Sequence, residues 1–364
     1  MKNETPSAMS FPAISWSDPE RQAAFSQWLT EQAQRHSLRP ETVRAASADA
    51  SFRRYFRVDA ASGSFIIMDA PPEHEDCQPF VAMARLLHAG GVRVPEVLAW
   101  DQAHGFLLLS DLGEHTLLST LQPEAPEAGG NHARYGAAID ELLRLQAIEV
   151  PATLPPYDDA LLQRELDLFP DWYLTRLRGI ELDAERRAML DHTFGLIKSQ
   201  VLAQPLVLVH RDYHSRNLMA DPADPAARPG VIDFQDAVRG PLSYDLVSLL
   251  RDAYVDWDEE TQLDHGIRYW EKARKQGLPV PQDFGEFWRE VEWMGLQRQL
   301  KVLGIFARLS LRDGKDGYLK DIPRVWAYAH KVSTRYQGLG PLSRLLEEAE
   351  AKTMGIERKA GYTF

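Results

Sequence analysis

The residues with the clearest chemical potential form one short run, His210-Arg211-Asp212-Tyr213-His214-Ser215-Arg216-Asn217. Its order fits H-R-D-x-x-x-x-N at every fixed position, a pattern that serves phosphoryl transfer. The apolar run Leu206-Val207-Leu208-Val209 stands directly before it, and Val231-Ile232 precedes a second acid, Asp233, followed by Phe234-Gln235. Phosphoryl transfer passes through a loose transition state, so a protein contributes mainly positioning and charge neutralisation. A hard cation such as Mg²⁺ takes oxygen ligands, few from protein and the rest from phosphate and water. Asn217 and Asp233, each at the edge of a short apolar strand, supply such oxygens. That leaves Asp212 to accept the proton of an attacking hydroxyl.

The elements that must hold these residues are legible in outline. At roughly 150 residues per domain, 364 residues predict two domains. Residues 1–17 read as a loose arm. Asp18-Pro19-Glu20 starts a helix in which Phe25, Trp28 and Leu29 recur at helical spacing. Two strand-like runs, 51–58 and 64–68, flank a turn at Ala61-Ser62-Gly63 and predict a hairpin. A helix over 77–89 and strands over 96–100 and 106–110 complete a small antiparallel lobe, residues 18–111. From 112 to 364 the pattern is helical, with helices expected near 131–148, 158–178, 183–203, 243–255, 260–276, 284–309 and 322–336. Only the strands 206–209 and 230–234 interrupt them. The Pro- and Gly-rich stretch from Gln122 to Gly130 predicts a surface loop. The fold class is therefore α+β and bilobal.

Composition removes other classes. With 53 acidic against 41 basic side chains the net charge is −12, unsuited to a broad nucleic-acid surface. One cysteine, Cys77, permits no intramolecular disulfide and no multi-thiolate zinc site. The start lacks the apolar core of a secretory signal, and no run approaches ~18 apolar residues. A cytoplasmic protein is expected by default, with no membrane partner and a monomer as the starting assumption.

The blocks Leu206–Met219, Val231–Asp236 and Gly240–Leu246 together resemble the aminoglycoside phosphotransferase family of small-molecule kinases. Within it the wording is most similar to the kinases that phosphorylate N-acetylmuramate and N-acetylglucosamine at the anomeric hydroxyl in cell-wall recycling. Asp49–Arg57, Met68–Glu73 and Tyr244–Asp252 carry the same likeness. The resemblance implies a protein-kinase-like fold and ATP as co-substrate. It makes Asp212 the base, makes Asn217 and Asp233 the Mg²⁺ ligands, and has His210 and Asp245 anchor the loop. The product would be an α-1-phosphate. It also seats adenine at the strand and hinge Phe106–Gly113, through the backbone around Ser110 and Leu112.

Two departures stand out. Met68 occupies the place of the strand lysine that pairs with nucleotide phosphates, and no lysine exists between Lys2 and Lys198. Arginines of the first hairpin, Arg53, Arg54 and Arg57, are the candidate replacements, although strand alternation keeps Arg54 off the face shared by the other two. The loop before them, ending at Ser51, has no glycine; small side chains there would have to let backbone N–H groups reach phosphate. For the acceptor, Glu165, Trp172, His214, Arg216, Gln235 and Asp236 are the candidates, and Arg216 or Arg298 suits an acceptor carboxylate. Rival readings are a kinase of aminoglycosides, choline-like molecules or amino alcohols, and a catalytically dead scaffold.

Overall fold

The structure, a computed structural model, describes residues 14–16, 18–47, 52–122 and 130–353. Ser51 and most of the expected arm lie outside the described residues, as does nearly all of the stretch 122–130. The chain divides into two compact units, residues 1–114 and 115–364, against a boundary expected near 111.

In the first unit, helix α1 (Pro19–His36) starts where Asp18 Oδ1 accepts from Glu20 N at 2.9 Å, with Pro19 in the first turn. After it come strands β1 (Arg44–Ser47), β2 (Arg54–Ala60) and β3 (Gly63–Asp69), helix α2 (Gln78–Ala89), then β4 (Val97–Asp101) and β5 (Phe106–Ser110). The strands form one antiparallel sheet in the order β1-β2-β3-β5-β4. Phe25, Trp28 and Leu29 of α1 bury against Phe56, Val58 and Ala60, Ile67, and Phe106 and Leu108. The β4–β5 turn requires Gly105: its φ is +71°, and a Cβ there would stand 1.9 Å from the Ala70 carbonyl oxygen.

The same face of the sheet carries a charge. Asp69, fully buried, pairs across the β2–β3 register with Arg54 and receives Arg21 from α1. The Nε groups of Arg54 and Arg21 donate at 2.8 and 3.0 Å, and the Arg54 guanidinium also lies over the Trp16 ring.

The second unit is mainly helical: α3 (Leu117–Thr120), α4 (Asn131–Gln146), α5 (Asp159–Leu166) and a π-helical segment (Phe169–Leu177), then α6 (Ala184–Leu202). Four short strands come next, β6 (Leu206–Val209), β7 (Leu218–Met219), β8 (Gly230–Val231) and β9 (Val238–Pro241). The chain ends its described part in α7 (Tyr244–Leu250), α8 (Glu259–Lys275), α9 (Phe284–Asp313), α10 (Ile322–Arg335) and α11 (Gly340–Thr353). Strand β6 pairs with β9 and β7 with β8, all antiparallel. Asp158, Asp183, Asp258 and Asp283 each cap a helix by accepting a backbone N–H three residues on.

The helix expected over 158–178 is interrupted. Pro170 has no N–H to return to Leu166, and the chain widens into the π-helical turn, where the Arg178 N–H reaches the Tyr173 carbonyl. The strand expected to run to Phe234 stops at Val231. Helix α9 is the spine of the unit, continuously buried from Val291 to Gly304. Gly304 lets it cross the end of α5 closely; a Cβ there would meet the Leu168 carbonyl oxygen at 2.4 Å.

Asp69→Asn leaves Arg21 and Arg54 without their carboxylate, and loss of these charge-assisted bonds costs about 1–3 kcal/mol. Urea unfolding should show a lower midpoint; an unchanged midpoint contradicts this role.

Candidate active site

Strand β6 delivers the chain into the loop 210–217, and α7 fixes the first residues of that loop. The Asp245 carboxylate, buried in the first turn of α7, accepts from His210 N at 2.6 Å and Arg211 N at 3.0 Å. Arg211 can then hold φ +78°, left-handed backbone that a non-glycine residue rarely adopts. His210 Nε2 lies 2.9 Å from the Ile232 carbonyl, and its Nδ1 accepts from Asp212 N at 3.3 Å, so its partners set the tautomer. At the far end of the loop Asp252 accepts from Ser215 N and Tyr254 N, each at 2.9 Å.

These anchors set Asn217 against both the Asp212 backbone and the Asp233 side chain. Asn217 Nδ2 donates to the Asp212 carbonyl at 3.0 Å and to Asp233 Oδ2 at 3.2 Å. Gln235 Nε2 donates to Asp233 Oδ1 at 2.8 Å. Asp233 is exposed and, like Arg211, has positive φ, +64°. With the Asn217 nitrogen committed to these two oxygens, Oδ1 of its amide and the remaining lone pair of Asp233 Oδ2 are hard oxygen donors on neighbouring side chains. That donor set suits a divalent cation that completes its shell with phosphate and water.

Behind Asp212 the charge is positive. Arg298 Nη2 lies 3.6 Å from Asp212 Oδ1, while Arg298 Nε donates to Ser248 Oγ at 2.6 Å. One turn further on α9, Lys301 Nζ meets Glu165 Oε1 at 3.0 Å and the Tyr244 hydroxyl at 2.9 Å. Burial pushes the Asp212 carboxyl up, but Lys301 and then Arg298 outweigh it and hold the group well below the usual range. Burial also lowers the His214 imidazole, favouring its neutral form.

The remaining sequence candidates fall in different places. Glu165 is a correction: expected to meet the acceptor, it is 4 % exposed and spent on internal donors. It accepts from Tyr157 at 2.6 Å, Arg211 at 2.7 Å and Gln297 at 3.1 Å, besides Lys301. His214 packs edge-on to Tyr254, with its Nδ1 buried and unbonded. Arg216 is exposed and lies over the Tyr254 ring at 4.6 Å. Trp172, half-buried in the π-helical segment, stacks under Arg176 at 4.0 Å. Asp236 is exposed beside Gln235.

In the first unit, Arg54 turns to the α1 face and holds Asp69, so its expected phosphate contact is withdrawn. Arg57 points to the opposite face, its Nε 2.6 Å from Asp111 and its Nη1 2.6 Å from Glu114; Arg53 pairs with Glu75 at 3.1 Å. Ser110 Oγ accepts from Glu96 N at 2.8 Å at the end of β5, and Leu112 is half-buried two residues on.

Sequence reasoning passes over Lys301, Ser248 and Asp252, and places Arg298 only as a partner for an acceptor carboxylate. The available signal is the polar interruption Gln297, Arg298 and Lys301 along an apolar helix. It also finds no metal-ligand spacing among the other histidines. The fold does gather His132, Asp264 and His265, with ligand atoms within 4.8 Å of one another, but Arg268 already pairs with Asp264 at 2.7 Å.

Comparison with known proteins agrees with this geometry. The family model described as Phosphotransferase enzyme family matches residues 42–284. The chain belongs to that family. It is 47 % identical over 307 residues to the N-acetylmuramate/N-acetylglucosamine kinase of Pseudomonas aeruginosa, covering 84 % of this chain and 88 % of that one. With the protein of the same name from Neisseria meningitidis it shares 46 % identity over 349 residues, 95 % of this chain and 100 % of the relative. Among solved structures, a Plasmodium vivax ethanolamine kinase matches with TM-score 0.58 at 12 % identity, covering 86 % of this chain and 90 % of that one. A choline/ethanolamine kinase family protein from Mesorhizobium loti matches at 0.56 and 16 % identity, covering 88 % and 98 %. The expected kinase-like fold of this phosphotransferase is thus borne out. Phosphotransferases of this kind use ATP with a divalent metal.

Burial raises the Glu165 carboxyl, but Lys301 and Arg211 pull it from 4.5 down to about 2. A folded pKa below the unfolded one gives stability that is complete above about pH 4.5 and is lost as pH falls towards about 2. Glu165→Gln should therefore be less stable than the wild type at pH 7 by about 3 kcal/mol, with the gap narrowing through that window. A gap that stays constant with pH in chemical denaturation contradicts the assignment.

Proposed function

We propose that this phosphotransferase moves the γ-phosphoryl group of ATP to the anomeric hydroxyl of N-acetylmuramate or N-acetylglucosamine, giving the α-1-phosphate. The observation that carries the choice of acceptor is the 46–47 % identity, over most of both chains, to relatives that bear that activity in their names. Asp212 accepts the proton as the sugar O1 bonds to phosphorus and the bond to the bridging oxygen breaks. An anomeric hydroxyl is more acidic than an ordinary alcohol, so a carboxylate held at low basicity can serve it. Asn217 and Asp233 would hold Mg²⁺, which supplies charge neutralisation at the phosphate oxygens.

Retention of base and metal ligands in one cluster weighs against a dead scaffold. For the nucleotide, the backbone of Ser110–Leu112 is the proposed adenine reader; Arg53 and Arg57 stay the proposed phosphate donors, each of which would have to release its carboxylate partner to serve. No helix of the described residues is long and apolar enough to cross a membrane, and the reading places the enzyme in the cytoplasm.

Purified protein with ATP, Mg²⁺ and each amino sugar should release ADP and yield a sugar phosphorylated at C1, read by ³¹P and ¹³C NMR. Asp212→Asn should lower kcat by about 10²–10⁴-fold with nucleotide affinity retained. Phosphorylation at another carbon, or full activity in that variant, contradicts the reading.

A further inference from the structure

We propose that Arg298 is a positioning residue for the phosphoryl transfer: it holds one oxygen of Asp212 and so presents the other to the acceptor hydroxyl. This rests on the reading of Asp212 as the base.

The loop that carries Asp212 fixes its backbone thoroughly. Asp245 holds the two preceding amides, His210 takes the Asp212 N–H and Asn217 takes its carbonyl. None of these bonds orients the carboxylate. Among the described residues, the ion pair of that carboxylate is with Arg298, whose Nη2 stands 3.6 Å from Oδ1. Arg298 is itself 4 % exposed and cannot swing freely, because its Nε is bonded to Ser248 Oγ at 2.6 Å. Ser248 is fully buried on α7, where its hydroxyl donates to the Tyr244 carbonyl at 3.1 Å. The helix that clamps the loop through Asp245 therefore also aims the guanidinium that orients the base.

The placement of the cation on α9 has a second consequence. Within the loop, the Arg211 guanidinium is drawn off to Glu165 at 2.7 Å. Arg298 instead meets the carboxylate from α9, outside the loop, against Oδ1. A carboxylate paired in this way is a weak base that favours acidic hydroxyl groups over ordinary alcohols.

The test compares Arg298→Ala and Arg298→Lys in the full chain with ATP, Mg²⁺ and, separately, N-acetylmuramate and N-acetylglucosamine. A misoriented catalytic group costs about 10²-fold. Arg298→Ala should lose about that much in kcat on both sugars, with KM for ATP unchanged. Arg298→Lys should recover part of the loss, and added methylguanidinium should restore part of kcat to Arg298→Ala, which a merely unfolded variant cannot show. Wild-type kcat in Arg298→Ala overturns the proposal. So does a loss without rescue by either route, or a loss confined to KM for N-acetylmuramate, the pattern of an arginine that reads the acceptor's carboxylate. Should the wild type phosphorylate neither sugar, the acceptor assignment fails by itself. The same variants are then judged on hydrolysis of ATP by water, where equal rates in wild type and Arg298→Ala overturn the proposal and a guanidinium-rescued loss supports it.

Discussion

One buried carboxylate sets the geometry on which the site depends. Asp245 accepts the N–H groups of His210 and Arg211 together, and this lets the chain leave β6 through a left-handed residue that is not glycine. Such a conformation costs on the order of 1–3 kcal/mol and persists only where its surroundings over-determine it. Burial pushes the Asp245 carboxyl up to about 6, against the pull of His210 and the two amides. Relative to the ionised carboxylate, protonation of Asp245 favours folding fully below about pH 4 and no longer above about pH 6, so at neutral pH the unit carries this charge at a cost. Strain and a costly charge at one point of a well-packed unit are the marks of a position kept for function.

The second layer of support comes from α9. A helix buried from Val291 to Gly304 would ordinarily be apolar throughout. Instead it turns Gln297, Arg298 and Lys301 towards the catalytic loop, where Glu165 and Asp212 balance them. Glu165 ties α5, the loop residue Arg211 and α9 into one ionic knot, closed by the Tyr157 hydroxyl. Removing a partner from such a cluster strands a buried charge, which is why its members act on stability and on the loop alike.

Much of this is legible in the sequence, and the remainder is hidden for physical reasons. The catalytic run and Asp233 are local in sequence and flanked by apolar strands, so residue order alone marks them. Helical periodicity marks α4, α6, α8 and α10 to within a few residues. The π-helical widening at Pro170 escapes because periodicity does not register one added residue in a turn. Glu165 is misassigned from sequence because an acid on a helix looks the same whether it meets ligand or lysine; only the crossing of α5 and α9 decides. Arg54 stands among the phosphate candidates although its cross-strand partner Asp69 is visible, since strand register is not written in either segment alone. The kinase-like fold is inferred from the motif's family, and its relatives and structural neighbours agree.

The most direct test is amide hydrogen exchange, read residue by residue on the intact enzyme without ligands. The His210 and Arg211 amides should exchange as slowly as the core amides of β6, although both lie in a loop outside any strand ladder. Exchange of these two amides at the rate of open loop residues would contradict this, because the carboxylate of Asp245 would then not be holding the turn that places Asp212.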